Sequence, residues 1–241
     1  MDDRLALSAF DWWEEAGVDT FVDDSPRDWL ARQPSAPLQF APIDFTPDHA
    51  VAAPAPVAKP AALPNDLAAF RQYLLSDPAV PGPPTARLDA TGDTASGAMI
   101  ILDMPEAGDR AAGRLLSGDV GDLFDKMLAA MSLSRATAYL APLSPARAAS
   151  GRLMPEAIEA LGVLMRYHIA LVAPKRVLLL GDAPTRALLG LGCVEARGRN
   201  HAIDVGGGPI PAVASFHPRL LIQTPTRKKA AWGDLQLYMV L

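Results

Sequence analysis

His217 stands in "ASFHPRLLIQTPTRKKAAW", after an apolar run and directly before a proline. An isolated His-Pro pair reads first as a turn histidine that caps a backbone carbonyl. Here Arg219, a leucine pair and then Arg227, Lys228 and Lys229 follow. Clustered cations of this kind suit neutralisation of phosphates. They also suit a plain solvated helix face, and the seven residues between Arg219 and Arg227 leave a shared surface open. A second candidate is "ILDMPEAGD", with Asp103, Glu106 and Asp109. A carboxylate at a strand end can orient or deprotonate a water; it can equally cap a helix, and sequence alone does not choose among the three. Cys193 is the one cysteine of the chain. Alone it forms no internal disulfide and builds no zinc or iron–sulfur site, and in "LLGLGCVEARG" it reads as a packing residue.

These residues need elements to position them. "NDLAAFRQYLLS" reads as a helix capped by Asn65 or Asp66. "AMIILDM", "ATAYLAPL" and "KRVLLLGD" read as strands. Between them lie the helical patterns "SGDVGDLFDKMLAAMSL", with Leu123, Phe124, Met127 and Met131 apolar, and "MPEAIEALGVLMRYHIALVAP", with Pro155 in its first turn. "APTRALLGL" follows as a helix, and "RNHAIDVGGGPIPAVASFHP" as two strands around a glycine turn. "PTRKKAAWGDLQLYMVL" is a terminal helix, and "PAVPGPPTARLDATGDTASG" is irregular. Strands alternating with helices predict a three-layer α/β/α fold around a central, mainly parallel sheet. Sites in such folds form at the carboxyl ends of the strands, which places Asp103, Pro142, Gly181 and His217 on one rim. "LLLGDAP" opens a helix after a glycine, yet neither GxGxxG nor GxxxxGK[ST] occurs, so a nucleotide fold is poorly supported.

The chain of 241 residues is half hydrophobic, enough for one core with an appendage. Its net charge of −5 is uneven. Residues 1–32 hold nine acidic and three basic residues, and the rest holds eighteen and nineteen. Residues 1–32 also carry Trp12, Trp13 and Trp29, with Phe10 and Phe21. Residues 33–64 are rich in Pro and Ala, a composition that favours an extended linker. Residues 65–241 form the globular part. No long apolar run predicts a membrane span, and no secretory leader is read, so a cytoplasmic location is expected.

Read together, three segments resemble the uracil-DNA glycosylase superfamily, particularly its iron–sulfur family 4 branch. They are "GRLLSGDVGDLFDKMLAAMSLSR", "YHIALVAPKRVLLLGDAPTRALLG" and "SFHPRLLIQTPTRKKAAWGDLQ". The resemblance covers roughly Ile100 to Leu237. It implies an enzyme that flips a base out of DNA for base-excision repair. It also implies that a first-motif carboxylate or Asn positions water for attack on the sugar C1′, and that the motif histidine stabilises the departing base as an anion. The resemblance further implies that residues after the histidine press on the duplex and hold its backbone.

On those positions His217 keeps the motif histidine, and Asp103 stands for the catalytic Glu of the family's GEAPG motif, here "LDMPE". Leu102 and Glu106 replace both of its glycines, and Pro105 remains in the base pocket. Leu116 falls where a Phe stacks on the base, and Pro142 where an Asn reads its edge. Proline offers no side-chain donor or acceptor. Ala146 and Leu161 fall at cluster-cysteine positions, so no cofactor and no metal are expected. These changes imply weak or altered base specificity, with Arg219, Arg227, Lys228 and Lys229 on the DNA.

A fold of this type need not catalyse. "FDWWEEAGVDTFVDDSPRDWL" is similar in layout to the N-terminal peptide of psi subunits of bacterial replicative clamp loaders, which share the fold. That resemblance implies an inactive scaffold tethered to a replication or repair protein by Trp12, Trp13, Phe21 and Trp29 in a helix-in-groove contact. The segment packing back on its own domain is the alternative.

Overall fold

The computed structural model describes residues 63–241. The expectations for residues 1–32, including Trp12, Trp13, Phe21 and Trp29, and for the Pro/Ala stretch up to residue 62 lie outside the described residues.

Five strands form the sheet: β1 Ala98–Leu102, β2 Tyr139–Pro142, β3 Arg176–Leu180, β4 Asn200–Asp204 and β5 Pro209–Ser215. Their order is β2-β1-β3-β5-β4. All pairs are parallel except the β4–β5 hairpin. Gly206 and Gly208 turn that hairpin at φ 82° and 118°, where glycine carries no Cβ penalty. The register aligns Leu102 with both Pro142 and Leu180, and Leu180 with Ser215. Asp103, Leu143, Gly181 and Phe216 therefore follow the strands at one edge, with His217 one residue further on.

The helices are α1 Leu67–Ser76, α2 Asp109–Ala112, α3 Gly118–Ala130, α4 Pro155–Val172, α5 Asp182–Leu189, α6 Cys193–Ala196, α7 Pro218–Gln223 and α8 Lys228–Met239. Side chains alternate across the buried strands. Ile100, Leu102, Leu140, Leu178, Leu180 and Val213 face a core shared with Phe124 and Leu128 of α3, Leu221 of α7 and Leu235 and Tyr238 of α8. Met99, Ile101, Tyr139, Val177, Leu179 and Ala214 face the other core, with Leu161, Met165 and Ile169 of α4 and Leu188 of α5. Each large side chain so buried contributes about 1.5–3 kcal/mol. Among the described residues no helix is long and apolar enough to cross a membrane.

Three details differ from the sequence expectation. The strand expected over 136–143 starts only at Tyr139, because Thr137 and Ala138 close a turn on the Ser134 carbonyl. The segment between β5 and the terminal helix, given no element from sequence, forms the separate helix α7; proline suits its first position. The irregular stretch before β1 holds a single turn of 3₁₀ helix at Pro84–Ala86. Arg87 anchors it by donating to the carbonyls of Leu74, Asp77, Val80 and Gly82. Of the two capping candidates, Asp66 caps α1.

His168 lies buried in α4, with Nε2 2.9 Å from the Tyr139 hydroxyl. Burial pushes its pKa down to about 4, and the same holds for His217. The unfolded chain binds protons at these rings from about pH 6.5 downward, and the folded chain does not. Stability is therefore full above pH 6.5 and falls as pH drops toward 4, by roughly 3 kcal/mol per ring at most. Urea midpoints should fall steadily between pH 7 and pH 4.5; a flat profile would show that both rings ionise freely in the fold.

Candidate active site

The rim gathers its polar groups from β1, β3, β5 and the segments that leave them. β5 delivers His217 as the N-cap of α7. Its Nδ1 accepts the Arg219 backbone N–H at 3.2 Å, so the neutral ring carries its proton on Nε2. Nε2 lies 3.5 Å from Asp103 Oδ1, and Nδ1 lies 3.9 Å from Glu106 Oε1. The ring is only 5% exposed. Burial lowers its pKa most, the Asp103 carboxylate works against that, and Arg219 adds to it. At neutral pH this imidazole is uncharged and an N–H donor.

β1 delivers Asp103, whose Oδ1 accepts the Met104 amide at 2.8 Å. The three carboxylates that sequence left open take three different places. Asp103 faces His217. Glu106 sits against Arg219, whose Nη1 donates to Oε1 at 2.9 Å and to Oε2 at 3.0 Å. Burial raises the Glu106 pKa, against the pull of Arg219 and Arg147 and with a push from Asp103. Asp109 is fully buried and accepts the amides of Glu106, Leu116 and Ser117 and the Ser117 hydroxyl, all within 2.8 Å. Burial acts to raise its pKa, and those hydrogen bonds overcome it and lower the value. Asp109 thus shapes the loop and is not available for chemistry.

The loop after α2 is drawn tightly onto α3. A Cβ on Gly121 would stand 2.1 Å from the Leu116 carbonyl oxygen, so glycine is required there. Arg135 donates to the carbonyls of Leu115 and Leu116 at 2.6 and 2.7 Å. Leu116 adopts φ 52°, and its side chain is completely buried in the core with Leu102 and Phe124. Pro142 is buried at the end of β2, and the buried Pro105 gives its carbonyl to Arg147 at 3.0 Å.

A cleft of about 620 Å³ opens on the rim, walled by Asp103, Met104, Arg147, Arg152, Asp182 and Arg219 among others. Pro105, Leu116, Pro142 and His217 are not among its walls. Arg219 turns inward: beyond Glu106, its Nη2 donates to Asp103 Oδ2 at 3.0 Å. Arg227, Lys228 and Lys229 are exposed, at the start of α8. Asp234 of α8 holds this helix to the rim. It accepts the Ser215 hydroxyl at 2.8 Å and Arg197 Nε at 2.6 Å, and Arg197 stacks over Phe216 at 3.7 Å. Arg147 and Arg152 were missed from sequence, because only the folded path of the segment after β2 brings them to the rim; Asp182, the first residue of α5, was missed although Gly181 beside it was placed there.

The residues present do not fit an iron–sulfur cluster. Cys193 is buried, its thiol donates to the Ser215 carbonyl at 3.3 Å, and burial pushes its pKa up to about 11. Ala146 and Leu161 are buried hydrocarbon side chains. Among the described residues no group of three or more His, Cys, Asp or Glu could hold a metal ion.

The chain is 23% identical over 154 residues to a type-4 uracil-DNA glycosylase of Pyrobaculum aerophilum, covering 61% of this chain and 79% of that protein. A family model described as the uracil DNA glycosylase superfamily matches residues 90–236, from ahead of β1 into α8. That span takes in every strand and both partners of the Asp103–His217 pair, and by it this chain belongs to the uracil DNA glycosylase superfamily, in a family 4-like form.

Proposed function

We propose that this protein hydrolyses the N-glycosidic bond of a base in DNA, in base-excision repair, with a specificity other than efficient uracil reading. What supports this most is one juxtaposition: the Asp103 carboxylate 3.5 Å from an uncharged, buried His217 at the sheet rim. Asp103 orients a water on C1′ and receives its proton. The C1′–N bond breaks, and its electron pair leaves with the base. His217 Nε2–H hydrogen-bonds the anion that develops on the base, and a neutral donor does this without first forming a tight ion pair. Asp103 is the shorter carboxylate, and Pro142 offers no edge-reading group. Base selection then falls to groups that wall the cleft, with Arg227, Lys228 and Lys229 on the phosphates.

A second reading is favoured by the burial of Leu116 and the withdrawal of His217 from the cleft. In it the domain is an inactive scaffold in replication or repair, tethered through residues 1–32. One assay separates the two. Oligonucleotides carrying uracil, hypoxanthine or xanthine are incubated with the full chain, and abasic sites are cleaved and resolved on a gel. The catalytic reading expects release from at least one, lost in both His217→Ala and Asp103→Ala. Release from none, or release that survives both substitutions, would sink it.

A further inference from the structure

His217 Nε2 is buried and has no hydrogen-bond partner among the described residues. A buried polar group left unpaired costs about 1–3 kcal/mol and calls for a reason. Beside this ring stands Arg219, whose side chain, 29% exposed, walls the cleft. Its backbone amide fixes the ring, and its guanidinium spans Asp103 and Glu106. The carboxylate that should serve a water is therefore already engaged, and the N–H that should meet a base faces no open space. Two further guanidiniums, Arg147 and Arg152, wall the same cleft. Arg147 also approaches Glu106, at 3.8 Å. The mouth is thus rich in cations, and one of them is latched over the catalytic pair.

We propose that Arg219 is a gate operated by the DNA backbone: a phosphodiester entering the cleft takes the guanidinium from Asp103 and Glu106, which uncovers His217 and frees Asp103 for water. The exchange is chemically matched, because a guanidinium donates to phosphate oxygens as Arg219 donates here to the carboxylates of Glu106 and Asp103. No bond is made or broken. Arg147 and Arg152 supply the field that draws the phosphate in. When Arg219 leaves, Arg147 still stands 3.8 Å from Glu106, so the released carboxylate keeps a cation beside it. The gate takes DNA as its ligand and in that respect rests on the function proposed above.

A latched ground state lowers apparent affinity by the fraction of molecules that are open. Glu106→Gln keeps the shape and removes one of the two anions holding Arg219. It should bind a short single-stranded thymidine oligonucleotide about 3–10-fold more tightly at low salt, by anisotropy. Arg219→Ala should bind more weakly. In that variant His217 should react with diethyl pyrocarbonate about tenfold faster or more, read by peptide mass spectrometry, since access limits the rate. His168, 1% exposed, reports folding and should stay slow. The gate is overturned if Glu106→Gln binds no more tightly than the parent chain, or if His217 in Arg219→Ala stays as slow as His168. Should His168 become reactive too, the variant has lost its fold and the Glu106→Gln binding result decides. Neither readout requires base release. A chain that opens but releases no base refutes the catalytic reading alone, and one that releases base with an unmoved latch refutes the gate alone.

Discussion

His217→Ala is expected to lower the turnover for base release about 100–1,000-fold while KM changes little. In the proposed mechanism the contact it removes is made only as charge develops on the departing base, so substrate binding loses almost nothing. His217→Gln retains an N–H donor and should recover part of the loss. The pH profile carries more information than the magnitude. With its pKa held at about 4, the ring is the same neutral donor from pH 8 to pH 5. Acid should not impair this group until well below pH 6.5. A rate that halves near pH 6.5, and no longer does so in His217→Gln, would mean that the imidazole titrates freely and that its role has been misassigned.

Asp109→Ala is expected to destabilise the domain by about 3–5 kcal/mol. The substitution strands three backbone amides, those of Glu106, Leu116 and Ser117, together with the Ser117 hydroxyl. Asp109→Asn should cost less, because its one amide oxygen can still accept while its NH₂ faces other donors. The folded pKa is depressed, so this stabilisation is complete above the ordinary carboxylate range and is lost as pH falls through the folded value. Urea unfolding at pH 7 measures the loss. A loss under about 1 kcal/mol would show that water replaces the carboxylate at all its donors.

Much of the scaffold was legible in the chain, for reasons that can be named. Ala98–Leu102 and Arg176–Leu180 are short apolar runs closed by Asp103 and Gly181, and buried parallel strands look like that. Pro155 and Asp66 mark helix starts through local chemistry alone. The rim followed from topology, since alternating strands and helices leave few ways to arrange a parallel sheet. The site was legible as a set of positions and not as a set of contacts. Asp103, Glu106 and Asp109 lie within seven residues of one another, yet one faces His217, one grips Arg219 and one is sealed inside the loop. Side-chain direction decides this, and spacing does not carry it in an irregular segment. Arg219 and Arg227 were both DNA-contact candidates, and the seven residues between them left a shared surface open. Helix α7 and the turn after it separate them, and two acids from the β1 loop claim the first.

Pro142 has a consequence of its own. β2 is an edge strand, and its backbone alternates in direction. Leu143 donates inward to Leu102, whereas Leu140 donates outward to Thr91. Pro142 shares the parity of Leu140, so the N–H that proline lacks would have pointed away from the sheet. Proline can therefore occupy this position with no ladder bond lost. At this position side-chain identity and sheet pairing are uncoupled, so the edge of the sheet is a place where the side chain can change while the fold stays the same.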